Sequence, residues 1–264
     1  MRIGTIAFRI FLAFLCLFLF APIVIVVVAS FTASDFITFP PGHVSLRWFE
    51  KVLSDPEFIG PIWNSLRLAA TATVLGSLLA VPAALAIVRG SFPGRRAVET
   101  FLLSPLSLPT IILAVGLLFF SAKIGLTQSA IGLVAGHVVV TVPYILRSIV
   151  AVYARANHET EEAAAVLGAP AHRVLWHVTL PIIRPGLIAG AMFAFLISFD
   201  EVAVALLMTT SDTTTLPVSI LSYLVYNYDP SVAAISTIQI ALVVGILLLL
   251  EKLVGLKSVM FTAR

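Results

Sequence analysis

Two adjacent carboxylates, Asp200 and Glu201, lie inside an apolar stretch of the chain. Burying a charge in a membrane is costly, so such residues usually face the interior of a helix bundle or water. They could attract a cationic solute along a translocation path, relay protons, or serve as a gate or hydrogen-bond partner between helices. Because successive helical residues point about 100° apart, both acids cannot face a path equally. We favour Asp200 as the residue that faces it.

Other reactive groups are few. Cys16 is the only cysteine, and His137 is a lone histidine in an apolar stretch, which is typical of a contact between helices. The chain contains no G-x-S-x-G sequence of a hydrolase and no phosphate-binding G-x4-G-K-[ST] sequence. We therefore expect no catalytic residue, and neither a metal nor a cofactor bound by this chain.

A second unusual segment, EEAAAVLGAPAHRVLWHVTLP at residues 161–181, collects polar residues between two apolar stretches. Its acids suit the first turn of a helix, and Gly168 suits that helix's C-terminal end. Pro170 suits the first turn of a second short helix, which we expect to stop before Pro181. The connection 154–185 is therefore predicted to contain two short helices that meet at a glycine elbow.

The predicted elbow has features of a surface that another protein holds. Its first helix is thin because residues 163–165 are all alanine, so a partner can approach its backbone closely. The second helix carries a small apolar patch with polar neighbours. The patch comprises Val174, Leu175 and Val178, beside His172, Arg173 and His177.

The composition is that of a polytopic membrane protein. Of 264 residues, 60% are hydrophobic and only 11% are charged, whereas soluble domains are about a quarter charged. An α-helix needs roughly 20 apolar residues to cross a bilayer. We expect one all-α membrane domain over residues 1–264, with the first apolar stretch retained as a span. Six spans are predicted at about 8–31, 65–88, 99–121, 129–153, 186–210 and 235–256.

Two local features accompany the spans. Pro105 and Pro109 lie within the third span and should bend it. The sequence SLRWFEKVLSD, which begins at Ser45, predicts a short interfacial helix in the first loop.

The distribution of basic residues predicts the orientation in the membrane, because cytoplasmic loops are enriched in lysine and arginine. The connection 211–234 has neither residue, which places it outside. Both termini and the elbow are therefore expected to be cytoplasmic. The basic residues on that side are Arg2, Arg9, Arg89, Arg95, Arg96, Arg155, Arg173, Arg184, Lys252, Lys257 and Arg264.

The elbow also carries a family motif. It resembles the E-A-A-x3-G-x9-I-x-L-P signature of binding-protein-dependent ABC importer permeases, with a valine in place of the isoleucine. The matching residues are Glu162, Ala163, Ala164, Gly168, Val178, Leu180 and Pro181.

This resemblance implies a type I ABC importer permease fold, in which the elbow sits in a groove on an ATPase subunit and the motif residues form or shape that contact. It implies a multi-pass protein of the bacterial inner membrane that is not itself an enzyme. The implied partners are two ATP-binding cassette ATPases that use ATP and Mg, a second permease (generally a different chain), an extracytoplasmic solute-binding protein and the lipid bilayer. No nucleic acid is implied.

Further sequences resemble the polyamine (spermidine/putrescine) branch of these permeases. They are ISFDEVAVALLMT at 197–209, TTLPVSI at 214–220 and YDPSVAAISTI at 228–238. The solute is therefore expected to be a polyamine or related cationic amine, with an opine, an aminophosphonate or another organic solute as alternatives. A proton-coupled secondary transporter that uses Asp200 or Glu201 is a further alternative, but it would leave the elbow unexplained.

Overall fold

The computed structural model describes residues 2–254, which form an all-α structure as predicted. Lys257 and Arg264, which entered the charge argument, lie outside the described residues. Short 3-10 turns at Ser104–Ser107 and Ser211–Thr213 and a π-helical turn at Leu175–Thr179 join some of the helices. The described α-helices are α1 (Arg2–Ala29), α2 (Arg47–Ser54), α3 (Pro56–Arg89), α4 (Arg95–Leu103), α5 (Thr110–Lys123), α6 (Ala130–Tyr153), α7 (Glu159–Val166), α8 (Ala171–Val174), α9 (Leu180–Phe199), α10 (Ala203–Met208), α11 (Leu216–Tyr226) and α12 (Ser231–Val254).

The predicted number of spans agrees with the helices of the described residues. Five helical segments are long and apolar enough to cross a membrane, and a bent pair of helices brings the number to six. The bent pair is Arg95–Ser107 with Thr110–Lys123, whose axes differ by 112°. The five continuous segments are Phe8–Ala29, Pro56–Arg89, Ala130–Tyr153, Ala171–Phe199 and Ser231–Leu249.

The bend in the third span is sharper than a proline kink and amounts to a break. Pro105 is the second residue of a 3-10 turn, and Leu108 then adopts an extended conformation with ψ of 140°. Proline disfavours the helical conformation in the residue before it, so Pro109 accounts for the extended Leu108. A new helix, α5, starts directly after this proline.

The predicted fifth span, 186–210, differs from the structure at both ends. The helix starts earlier, at Ala171, and it ends at Phe199. After an interruption the chain resumes a helix at Ala203, because the side chain of Glu201 accepts hydrogen bonds from the first backbone N–H groups of α10. The 186–210 stretch is therefore two helices rather than one.

The described chain divides into two compact units. One runs to Gly60 and resumes over Ser219–Gly245, and the other covers Pro61–Val218 and resumes at Ile246.

In the larger unit α9 packs closely along α6. A Cβ atom on Gly186 would lie 2.6 Å from the backbone oxygen of Ser148, and one on Gly190 would lie 2.7 Å from the Cα of Ile145. Small residues at such positions let two membrane helices approach each other closely. The buried cluster on these helices and on α3 comprises Ala80, Ala84, Ile87, Ile145, Leu146, Ile149, Tyr153, Ile183 and Ala194.

The smaller unit contains the predicted interfacial helix, α2, which buries Trp48 and Val52. The Lys51 ammonium lies 2.7 Å from Oδ2 of Asp229, and the hydroxyl of Tyr223 donates to the same oxygen at 3.0 Å. Tyr223 is therefore buried and binds the carboxylate of the ion pair. Tyrosines near the ends of membrane spans more often lie at the membrane–water interface.

Candidate functional site

The first arm of the elbow is α7, which ends in a glycine turn as predicted. Gly168 has a φ of +86°, the left-handed conformation that glycine adopts without steric cost. Its N–H donates to the carbonyl of Ala165 at 3.0 Å, and the N–H of Ala169 donates to the carbonyl of Ala164 at 3.1 Å. These two bonds form a Schellman cap, which satisfies the last carbonyls of the helix.

The second arm does not stop before Pro181, so that part of the prediction is wrong. Helix α8 continues through the π-helical turn into α9, and Leu180 N–H donates to the carbonyl of Leu175 across the wider turn. This turn places Pro181 in the first turn of α9, where its missing N–H is tolerated. The second arm is therefore the beginning of the fifth span itself.

A buried carboxylate, Glu161, joins the elbow to the ends of the spans. Its side chain accepts a hydrogen bond from the Tyr153 hydroxyl at 2.8 Å, another from the Thr179 hydroxyl at 2.5 Å, and a third from Nε of Arg89 at 3.0 Å. Arg89 also donates to the carbonyl of Ala156 at 3.0 Å, and its guanidinium lies 4.5 Å from the centre of the Tyr153 ring. Glu161 itself is only 8% exposed.

The contacts of Glu161 keep it ionised. Burial by itself would raise the pKa of this carboxyl, but the hydrogen bonds from Thr179, Tyr153 and Arg89, together with the charge of Arg89, lower the pKa below its usual value. The group is therefore a buried anion with three donors.

The sequence did not single out Glu161. Helical geometry places it about 100° from Glu162 on α7, but it does not show which of the two faces is covered. Its donors lie 72, 8 and 18 residues away along the chain, so no local pattern marks them.

The predicted coupling residues fall into two groups. Glu162, Ala163, Gly168 and Pro181 are exposed, and Glu162 contacts Nδ1 of His158 at 2.7 Å on the outer side of α7. The other three are partly covered. These are Ala164, Val178 and Leu180.

Two strongly exposed side chains of the elbow are apolar, and the motif does not include them. Val166 is 86% exposed and Leu167 is 88% exposed, directly before Gly168. We call the surface formed by Glu162, Ala163, Val166, Leu167 and Gly168 the elbow tip. Two large apolar side chains at such a turn are typical of a contact with another protein.

Asp200 and Glu201 have different environments at the break in the fifth span. Asp200 is exposed at the end of α9. Glu201 is buried, and its Oε1 accepts hydrogen bonds from the N–H groups of Ala203 at 2.9 Å and Val204 at 3.2 Å. Glu201, which directly precedes the N-cap residue Val202, thus binds the first two N–H groups of α10, and Asp200 is the acid with access to the surroundings.

His137 is a contact between helices, in agreement with its sequence context. It is fully buried, and Nδ1 lies 2.9 Å from the hydroxyl of Ser198 on α9. Within residues 2–254 no three His, Cys, Asp or Glu side chains are grouped so that they could hold a metal ion.

Known proteins resemble this chain along most of its length. The putrescine transport system permease protein PotI of Escherichia coli (strain K12) is 30% identical over 84% of this chain and 81% of its own. The spermidine/putrescine transport system permease protein PotC of Haemophilus influenzae is 29% identical over 88% of this chain and 90% of its own.

A solved structure shares the fold. It is a bacterial ABC transporter involved in the import of the acidic polysaccharide alginate, with a TM-score of 0.75, 18% identity, and coverage of 95% of this chain and 96% of the other. These names describe transport system permeases and an ABC transporter, and so they do not favour a proton-coupled secondary transporter.

Residues 72–255, which include the elbow and the break in the fifth span, match the family described as "Binding-protein-dependent transport system inner membrane component". ATP hydrolysis in such a system falls to partner subunits. The chain therefore belongs to this family, as a multi-pass, non-catalytic permease subunit of the inner membrane.

Proposed function

We propose that this permease receives the force of ATP hydrolysis at the elbow tip, which docks in a groove on an ATP-binding cassette ATPase. The observation that carries the proposal is the exposure of Val166 and Leu167 beside the left-handed Gly168. Burying two large apolar side chains contributes about 1.5–3 kcal/mol each, which is a large share of a small docking contact.

The other residues of the motif shape this contact. Exposed Ala163 lets a partner approach the backbone of α7, and exposed Glu162 supplies a charge at its rim. Pro181 lies in the first turn of α9 and so fixes where the elbow passes into the fifth span.

The orientation follows from the basic residues. With the elbow and both termini in the cytoplasm, the elbow tip faces the compartment where ATP and Mg are available to the ATPases, and this chain binds neither. An extracytoplasmic binding protein delivers the solute on the opposite side. Two ATPases and a second permease, a different chain, complete the assembly.

The solute is a polyamine or a related cationic amine. Two relatives that match most of this chain are named as putrescine or spermidine/putrescine permeases. Asp200 is an exposed carboxylate at an interruption of the fifth span, and it would attract an ammonium group along the path. Glu201 holds α10 in place and does not contact the solute.

Docking is tested by Leu167→Asp in the complete transporter. A charge in an apolar groove should prevent stable association, so the ATPase should no longer co-purify with the permease. Val44→Asp is the matched control, because Val44 is a similarly exposed valine in the loop predicted to lie outside. Full co-purification with Leu167→Asp would exclude the elbow tip as the docking surface.

The solute is tested by ATP-dependent uptake of putrescine and spermidine into vesicles that contain the complete transporter. Asp200→Asn should reduce uptake at limiting concentration, whereas Asp212→Asn, which changes an exposed acid of the 211–234 connection, should not. Absence of uptake of either amine by the parent transporter would refute the proposed solute. Unchanged uptake by Asp200→Asn would leave this residue without a role in the path.

A further inference from the structure

One carboxylate connects the elbow with the ends of three helices of the bundle. We infer that Glu161 is the joint that transmits movement of the elbow to those helices, as a positioning residue separate from the docking surface. The inference rests on the proposed function, because it requires that the elbow is moved by a partner.

The three donors to Glu161 come from three different places in the larger unit. Arg89 is the last residue of α3, Tyr153 is the last residue of α6, and Thr179 lies in the turn that leads into α9. The hydroxyls of Tyr153 and Thr179 bind one carboxylate oxygen, and Nε of Arg89 binds the other. A displacement of α7 therefore acts on all three helices through a single group.

The joint requires a negatively charged side chain in which both oxygens can accept hydrogen bonds. Every contact of Glu161 is a hydrogen bond that it accepts, and one donor is a guanidinium. Glutamine has nearly the same shape, but its amide nitrogen is a donor and cannot accept a bond from either Arg89 or the two hydroxyls. Glu161→Gln therefore removes the negative charge that faces Arg89, and the side of the joint that meets the amide nitrogen must lose its bonds or reverse their direction, while the volume of the side chain is kept.

Hydrogen bonds matter here because apolar packing does not fill the space behind the elbow. A cleft of about 340 Å³ lies between the elbow and the ends of α3 and α6. Its walls include Arg89, Tyr153, Ala165 and Thr179. Glu161 is the buried residue of α7, so a change there should loosen the first arm of the elbow without opening the apolar core.

The neighbouring acids show that this position is specific. Glu162 lies at the exposed elbow tip and pairs with His158 of the same segment. Glu159 is exposed in the first turn of α7, where its carboxylate accepts a hydrogen bond from Asn157 at 3.0 Å. Glu159→Gln is therefore a matched control, because it makes the same chemical change on the same helix away from both the joint and the tip.

The experiment uses the complete transporter in vesicles, with Cys16→Ser in every variant and a reporter cysteine at Val202→Cys, an exposed position at the break in the fifth span. ATP hydrolysis and the change in maleimide labelling of the reporter on addition of ATP and vanadate are measured together. In the parent, ATP and vanadate should change the labelling rate.

In Glu161→Gln the ATPase should still co-purify and hydrolyse ATP, but the ATP-dependent change in labelling should fall about tenfold, the order expected for loss of a buried charge-assisted hydrogen bond. Glu159→Gln should match the parent. Tyr153→Phe, which removes one donor and keeps the charge, should give an intermediate loss. A merely structural defect would instead lower hydrolysis, labelling and thermal stability together.

The outcomes separate the two proposals. A labelling change of parental size in Glu161→Gln overturns the joint and leaves docking intact. Loss of ATPase co-purification in Glu161→Gln also overturns it, because the residue would then act in docking. If the parent itself shows no response to ATP, or if Leu167→Asp still binds the ATPase, the proposed function fails and the inference fails with it.

Discussion

At the scale of single residues, two pairs of neighbouring acids show how position on a helix separates roles. Glu161 is a buried acceptor of three hydrogen bonds, whereas Glu162 is exposed at the elbow tip. Glu201 is buried and binds the first N–H groups of α10, whereas Asp200 is exposed. In each pair the residues point in different directions, so one stabilises the fold and the other is accessible to a partner or a solute.

A third acid, Asp229, gives a prediction about pH. Burial by itself would raise its pKa, but hydrogen bonds from Lys51, Ser231 and Tyr223 lower it. The unfolded chain therefore binds this proton more readily than the folded chain, so the contribution of Asp229 to stability is present above its unfolded pKa of about 3.9 and is lost as the pH falls through the lower folded value. The raised pKa of Lys51, where its bonds to Asp229 and Tyr223 outweigh burial, keeps this partner charged throughout that range.

The measurement compares thermal unfolding of the parent and Asp229→Asn in detergent between about pH 7 and pH 3. We expect Asp229→Asn to be less stable at neutral pH by about 1 kcal/mol or less, since the pair is partly exposed, and the difference should vanish in acid. Asp35→Asn, which removes the more exposed partner of Arg47, is the control and should have less effect. A difference that does not depend on pH would contradict the ionic origin.

At the scale of elements, the elbow is an extension of the bundle. Its second arm is continuous with α9 through the π-helical turn, and α9 packs on α6 through Gly186 and Gly190. The first arm is fixed by the cap at Gly168 and by Glu161. A displacement of the elbow tip would therefore be transmitted to the fifth span along one continuous helix. It would be transmitted to α3 and α6 through the carboxylate of Glu161.

Substitutions of Gly168 distinguish the effect of backbone strain in the elbow from the effect of a side chain that blocks docking. Its φ of +86° would strain any ordinary side chain by about 1–2 kcal/mol, but within the described residues nothing lies within 4 Å of a Cβ added there. Gly168→Asn should be tolerated because asparagine adopts this conformation readily. Gly168→Ala should lower thermal stability moderately and keep ATP-dependent uptake, whereas Gly168→Trp should also abolish uptake because its bulk points toward the partner.

The comparison of uptake and thermal unfolding across these three variants decides the point. Gly168→Trp and Gly168→Ala share the backbone strain. The difference in uptake between them therefore measures the effect of a bulky side chain on the docking surface alone. Equal uptake in both would show that the elbow tip is not closely covered by another protein.

At the scale of the whole molecule, the chain supplies one membrane subunit of a larger transport system. Up to six helical segments of the described residues are long and apolar enough to cross a membrane. One span separates the elbow from the 211–234 connection, which carries no lysine or arginine. The proposed orientation therefore places these two segments on opposite sides.

Single cysteines test this orientation, because Cys16 is the only natural one and Cys16→Ser gives a cysteine-free chain. In intact cells whose outer barrier is permeable, an impermeant maleimide should label Ser211→Cys. It should label Glu159→Cys, which lies on α7 away from the elbow tip, only after the inner membrane is opened. Both positions are exposed in the structure, so a lack of labelling reports the membrane and not burial. The reverse pattern would invert the topology and exclude the elbow as a cytoplasmic docking site.

Much of this architecture could be predicted from local sequence. The apolar stretches gave the spans because the length of a helix that crosses a bilayer is fixed by the thickness of the hydrocarbon. Gly168 marked the end of α7, and Pro105 and Pro109 marked the bend in the third span, because glycine and proline act on the backbone within one or two residues of their own position. The elbow motif likewise identified the family before its geometry was known.

The sequence by itself thus determined the number of candidate spans, the glycine turn and the motif, since each depends on neighbouring residues. Only the tertiary structure decided that Pro181 continues a helix, that Glu201 binds the start of one, and that Glu161 is buried against Arg89, Tyr153 and Thr179. The role of a carboxylate is set by the donors around it, and here one of those donors lies 72 residues away in the chain. No local pattern encodes such a meeting, because it arises only when helices distant in sequence pack together.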